Sequence, residues 1–171
     1  MKNNLINTEN VGLKIITLSK EYAIKNTEEI LKLEKNWVEI GDEPWTIDNL
    51  MYELPMKWKL SHVALYNGKI VGYQIGSLKD NVIFLNKIIT DKGYRGLGIG
   101  KKLLKEFMEK SLQEGIKRIH FRVRVDNPAV MFYNKLGFKP NEKLDYQRKD
   151  GIASYYYDNE IEKVIGNLTD N

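Results

Sequence analysis

The sequence predicts an α/β fold: a mixed, mostly antiparallel sheet with one parallel strand pair, flanked by about four helices. Three observations carry this reading. Asn67-Gly68 separates two runs of strand-like period, and that dipeptide favours the positive φ of a tight hairpin turn. After Thr90 the apolar period lengthens from two to the helical repeat, and Leu103, Leu104, Phe107, Met108 and Leu112 mark one helix face. A strand pattern then returns at residues 117–125, and such a strand–helix–strand passage makes a right-handed parallel crossover.

The elements follow in order. Residues 1–12 are polar and without period, a loose N-terminal extension. Residues 13–18 alternate as a strand. Thr27 is the expected N-cap of a helix reaching Val38, with Ile30, Leu31, Leu33 and Trp37 on its apolar face. Gly41-Asp42-Glu43-Pro44 breaks it, and a second short helix covers 46–54 before Pro55. Strands follow at 62–66, 70–78 and 82–90, then a helix over 98–114 that Gly115 ends. In 117–125, Ile119, Phe121, Val123 and Val125 share one face, and Arg118, His120, Arg122 and Arg124 the other. Asn127-Pro128 opens a helix to Leu136, with proline at its first position, and 146–158 forms a hairpin around Asp150-Gly151. The expected organisation is a single domain over 13–160 and a C-terminal tail over 161–171.

Composition narrows the function classes. A chain of 171 residues with 42% hydrophobic and 29% charged residues is neither disordered nor membrane-embedded. No apolar run nears the ~20 residues of a membrane span, and the first residues lack the apolar stretch of a signal peptide, so a cytoplasmic location is expected. The absence of cysteine excludes disulfides, thiolate metal sites and a cysteine acyl-enzyme, and two histidines leave little for zinc. The net charge is 27 − 23 = +4, but residues 87–124 hold eleven Lys/Arg against four Asp/Glu, or +7, and the remainder holds −3. One contiguous third of the chain therefore suits an anionic ligand, or simply forms a solvated helix face. The aromatics fall at core spacing rather than interleaved with the basic residues, which argues against a nucleic-acid partner.

Chemistry concentrates in Thr90-Asp91-Lys92-Gly93-Tyr94-Arg95-Gly96-Leu97-Gly98-Ile99-Gly100-Lys101, between a strand and a helix. Glycines at alternate positions let the backbone turn tightly and present N–H groups to phosphate oxygens at the positive end of the helix, or mark only a structural turn. The dinucleotide spacing and the nucleoside-triphosphate loop are both absent.

Arg95, Gly98 and Gly100 match the Gln/Arg-x-x-Gly-x-Gly/Ala signature, and Asn127…Tyr133…Gly137-Phe138 the later Asn-x-Ala…Tyr…Gly-Phe segment, of the GNAT superfamily of acetyl-CoA-dependent N-acetyltransferases, which the sequence resembles. Thr90 stands where that family usually has Val and Lys92 where it often has Pro; neither change removes a backbone donor. The resemblance implies that the parallel strands splay apart and that pantetheine lies between them, paired with the backbone of Ile88, Ile89 and Thr90. It further implies a pyrophosphate held by Gly96, Leu97, Gly98, Ile99, Gly100 and Lys101 beside Arg95, and Asn127 bonded to the pantetheine region or capping its helix. Tyr133 would protonate or hydrogen-bond the departing CoA thiolate, or serve as a core tyrosine. Acetyl-CoA is the implied co-substrate, without a metal.

The resemblance implies a primary-amine acceptor, a small molecule or a peptide N-terminus, and a monomer or homodimer is expected. Pro44-Trp45-Thr46 resembles the Pro-Trp-Ser/Thr of the subgroup that acetylates protein N-termini, though Trp45 also fits a hydrophobic staple. Tyr146 and Tyr155-Tyr156-Tyr157 are the candidates for the facing wall. Arg122 stands where some relatives carry Glu, which disfavours peptides and polyamines and keeps an amino sugar or amino acid open. No residue is assigned as base; Asp42, Glu43, Glu53, His62 and His120 are the titratable candidates, and proton loss through ordered water is expected. A non-catalytic acyl-CoA-binding module is the remaining alternative.

Overall fold

The computed structural model describes residues 12–35, 42–146 and 148–169. Most of the expected N-terminal extension, and Trp37 and Val38 of the expected first helix, lie outside them. Strands β1 (Leu13–Thr17), β2 (His62–Tyr66), β3 (Lys69–Lys79), β4 (Val82–Thr90), β5 (Arg118–Arg124) and β6 (Ser154–Glu160) form one sheet in sequence order. Every neighbouring pair is antiparallel except β4–β5. Helices α1 (Lys20–Lys25), α2 (Thr27–Lys32) and α3 (Ile47–Met51) cover one face, where Ala23, Ile30 and Leu50 pack on Val63, Tyr73, Ile75 and Ile89. After the single turn α4 (Lys57–Leu60), the long α5 (Ile99–Gln113) takes the opposite face with α6 (Ala129–Lys135) and α7 (Ile161–Val164). There Leu104, Phe107, Tyr133 and Ile161 close over Ile83, Leu85, Ile119 and Phe121. Gly76 permits this close packing, because a Cβ there would stand 2.2 Å from the Phe107 ring.

Several boundaries differ from expectation for local reasons. The first helix starts earlier and breaks at Asn26, because the Ser19 hydroxyl already caps α1 by accepting the Tyr22 N–H at 3.1 Å. Thr27 caps nothing; its hydroxyl donates back to the Ala23 carbonyl at 2.7 Å. The second helix stops at Met51, with Thr46 and Asn49 forming a capping box at its start. The buried Lys57 ammonium donates to the Leu50 and Tyr52 carbonyls at 2.6 and 2.7 Å, filling acceptors that the helix end leaves open. Residues 161–168 are not a tail: Ile161, Val164 and Leu168 are buried in the core as α7 and a following 3-10 turn. Of the expected hairpin over 146–158 only β6 is a strand. The chain before it meets β6 through single bridges at Pro140–Tyr157 and Asp145–Ser154, leaving a wide loop around Asp150-Gly151. Among the described residues no helix is long and apolar enough to cross a membrane.

β4 contains the irregularity that shapes the centre of the sheet. Gly76 pairs with Leu85 and Ile75 with Lys87, so Asn86 is an extra residue bulging from the ladder. Before it, Ile83 and Leu85 face α5. Beyond it the alternation is reversed, and Lys87 and Ile89 face α1–α3.

Candidate active site

On its other edge β4 meets β5 at two pairs only, Ile83–Ile119 and Phe84–His120, and the ladder ends there. Past this point β5 is hydrogen-bonded to β6 and β4 to β3, so a gap opens between two parallel strands. The Asp91 N–H bonds the Val71 carbonyl of β3 at 2.7 Å. Backbone groups alternate sides along a strand, so Ile88 and Thr90 turn theirs toward the gap and Ile89 turns its own toward β3.

At the open end the chain makes a 3-10 turn over Lys92–Tyr94, started by the Asp91 carboxylate accepting the Gly93 N–H at 2.9 Å. Gly96 and Gly98 follow with φ of +83° and +71°, and a Cβ at either would point into open space. Glycine is therefore required there by conformation, not by a packed neighbour. Gly98 is the N-cap of α5, so the N–H groups of Ile99, Gly100 and Lys101 lie in its first turn at the positive end of the helix. Arg95 and Leu97 are exposed beside it. The Phe132 ring of α6 lies 3.5 Å from where a Gly100 Cβ would be, which closes one side of this cradle. Backbone donors at a helix start and a strand-sized gap leading away from them fit a pyrophosphate and its pantetheine arm.

α6 supplies the aromatic wall. Tyr133 is buried against Phe121, Phe132, Phe138 and Tyr157, with its ring centroid 4.5 Å from that of Phe121. Burial, and secondarily Tyr157, pushes its phenol well above the ordinary range, so it keeps its proton at neutral pH. Tyr157 stacks on Phe121 and donates to Asn134 at 3.0 Å, as a core residue. Asn127 accepts the Ala129 N–H at 2.8 Å, a capping bond, but the N-cap is Pro128 and the helix begins at Ala129, so proline does not take the first helical position expected for it.

The residues expected around the acceptor lie on the face of α1–α3. The backbone N–H of Trp45 donates to Glu34 at 2.9 Å, and its ring packs on the cluster that holds Leu50, as a staple would. Its ring also receives the Lys87 ammonium at 5.1 Å. Arg122 is ion-paired to Asp145 at 2.5 Å and leans over the Tyr156 ring at 5.4 Å. Tyr146 is 67% exposed. Of the candidate bases, His62 lies buried on Gln74, and burial lowers its pKa. Glu53 is held at the surface by Lys20, Asp42 is paired with Arg124 and Arg148, and Glu43 is exposed. His120 lies in the sheet at the last β4–β5 pair. Sequence reading missed the Glu34–Lys87 ion pair, at 2.8 Å, because the two residues lie on elements that meet only in the fold.

Similarities to known proteins agree with this geometry. The probable spermine N(1)-acetyltransferase of Bacillus subtilis subsp. natto is 31% identical over 91 residues, which cover 47% of this chain and 60% of that protein. The N-alpha-acetyltransferase RimI of Mycobacterium tuberculosis is 29% identical over 122 residues, covering 68% and 75%. The crystal structure of Ard1 from Thermoplasma volcanium superposes with a TM-score of 0.74 at 22% identity, over 88% of this chain and 98% of that one. The chain thus spans about three-fifths of the length of the spermine enzyme it matches. Residues 26–138 match the Acetyltransferase (GNAT) family, and they hold both the bulged, splayed strand pair and the glycine cradle: the chain belongs to that family.

Proposed function

We propose that the protein transfers acetyl from acetyl-CoA to a primary amine by direct attack in a ternary complex, and that the amine is a protein N-terminus. The observation that carries the transfer is the gap between β4 and β5, open on the side where Gly98 starts α5. Pyrophosphate binds the N–H groups of Ile99, Gly100 and Lys101, flanked by Arg95, Gly96 and Leu97, and pantetheine runs along β4 at Ile88–Thr90 with Asn127 at the far wall. The thioester then lies near the Asn86 bulge, and the buried, protonated Tyr133 hydroxyl stabilises or protonates the leaving thiolate. No cysteine is present to form an acyl-enzyme.

Two features support an N-terminal acceptor. The relative from Mycobacterium tuberculosis that matches along 68% of this chain is an N-alpha-acetyltransferase, and Trp45 is fixed by Glu34 and Lys87 at the face a peptide would approach. Polyamines need uncompensated carboxylates, whereas Asp42, Asp126, Asp145 and Asp150 are each paired with an arginine. An amine bearing an acidic group would need Arg122, which Asp145 already occupies. The test is a panel of peptide N-termini, polyamines, amino sugars and amino acids with acetyl-CoA, scored by free thiol release. Fastest release with peptides supports the reading; faster release with spermine or a small amine replaces the acceptor. No release from any amine by a protein that binds acetyl-CoA leaves a binding module.

A further inference from the structure

We propose that His120 accepts the surplus proton of the attacking amine through the hydroxyl of Tyr156, with Asp158 orienting the imidazole. The inference rests on the acetyl-transfer reading above. A row of rings crosses three strands on the acceptor face: Phe84 of β4, His120 of β5 and Tyr156 of β6. Successive centroids are 5.3 Å apart and the rings meet edge to face, at 77° and 70°. The Tyr156 oxygen lies 2.5 Å from Nδ1 of His120. Asp158 Oδ1 lies 2.9 Å from Nε2, at ion-pair distance though not in hydrogen-bond alignment, and Nε2 is closed to solvent. A proton can therefore enter the imidazole by the Tyr156 hydroxyl, while the carboxylate stabilises the imidazolium that results.

Position supports this role. His120 pairs with Phe84, the last pair before the gap, and the Asn86 bulge lies two residues farther along β4. The proton enters by Tyr156, which pairs with Arg122, two residues beyond His120 and so level with the bulge; at ~4.8 Å between strands its backbone is about 10 Å from the bulge, a separation the tyrosine side chain and one water span. The other charged groups facing this row are committed. Arg118 on the same strand pairs with Asp158, Arg122 pairs with Asp145, and Lys87 of β4 pairs with Glu34.

The step balances. The neutral amine attacks the thioester carbonyl carbon and the C–N bond forms, leaving a surplus proton on nitrogen. That proton passes to the Tyr156 oxygen as the phenol proton of Tyr156 moves to Nδ1. The C–S bond breaks, and the thiolate takes the proton of Tyr133. Solvent then returns a proton from His120 to Tyr133, and the products are the amide and free CoA thiol.

The experiment measures kcat against pH, from about 5 to 9, with the best acceptor of the panel and saturating acetyl-CoA. Wild-type kcat should fall on the acid side, where a protonated imidazole accepts nothing. His120→Gln should lose about 10²–10⁴-fold in kcat and lose that acid limb, with acetyl-CoA affinity by calorimetry changed by less than about twofold. Tyr156→Phe should lose about tenfold or more in kcat at unchanged affinity. Asp158→Asn should lower kcat about tenfold or more at unchanged acetyl-CoA affinity, a kcat-only loss that a purely structural role does not produce. Wild-type kcat and an intact acid limb in His120→Gln overturn the proposal. Should that variant fail to bind acetyl-CoA, wild-type kcat in Tyr156→Phe overturns it. Absence of transfer by the wild-type protein to every amine overturns the transfer reading and this one together, whereas wild-type transfer with unaffected variants overturns this one alone.

Discussion

Lys87→Met probes the ion pair that joins α2 to the centre of the sheet. The two side chains are 7% and 2% exposed and 2.8 Å apart, and the Glu34 carboxylate also accepts the Tyr73 hydroxyl and the Trp45 N–H. Methionine keeps the length of lysine and removes its charge. Glu34 would then be a buried anion facing two neutral donors, and breaking a pair in this way costs about 3–5 kcal/mol. For a chain of this size that corresponds to a drop of about 6–20 °C in Tm. Adding Glu34→Gln removes the stranded charge while its amide oxygen still accepts from Tyr73 and Trp45. The double variant should therefore recover about 1 kcal/mol or more relative to Lys87→Met alone. Urea unfolding of wild type, both single variants and the double variant measures the coupling. A Lys87→Met protein destabilised by less than about 1 kcal/mol, or a double variant within about 0.5 kcal/mol of the sum of the singles, would refute the account.

Three further outcomes are expected. Gly98→Val places a β-branched residue at a left-handed position and should abolish acetyl-CoA binding while the far-ultraviolet circular dichroism stays native; unchanged affinity by calorimetry would remove the cradle from the site. Tyr133→Phe should lower turnover about ten- to ten-thousandfold with little change in acetyl-CoA affinity, and wild-type turnover would leave Tyr133 a packing residue. Arg148, with help from the Ile152 N–H, holds the Asp150 carboxyl down to about 2 against an ordinary 3.8. Its contribution to loop stability is therefore complete above 3.8 and lost as pH falls toward about 2, so hydrogen exchange in the loop before β6, corrected for intrinsic rate, should accelerate across that window and not above it.

What the sequence disclosed depended on whether the signal was local. The β2–β3 hairpin turns and α5 starts and ends where expected because Asn67-Gly68, Gly98 and Gly115 impose positive φ by themselves. The glycine cradle was legible for the same reason. The helix start at Lys20 was not, since residues 25–29 include no apolar residue to link Ala23 to Ile30 and Thr27 offers an N-cap that competes with Ser19. The residues after Glu160 read as a tail because they are few; Ile161, Val164 and Leu168 at helical spacing were the available signal. In the sequence Arg122 stands as a cation at a position where some relatives carry Glu. Its neutralisation by Asp145 depends on a loop that crosses back to β6, a contact no local pattern encodes.

The Asn86 bulge ties these observations to the site. In an unbroken strand Lys87 would share the orientation of Leu85 and face α5, Ile88 and Ile89 would exchange faces, and Lys87 could not stand opposite Ile75. With one extra residue, the lower half of β4 presents Ile83 and Leu85 to α5, and the upper half presents Lys87 and Ile89 to α1–α3. The same insertion bends the strand, and bulges increase local twist, so β4 leaves its parallel partner within two residues of the last pair. One inserted residue therefore brings Lys87 beneath Trp45 and lies beside the opening of the gap. Its trace in the sequence is the interval of three between Leu85 and Ile88 where a strand period of two would be expected, with Asn86-Lys87 between them.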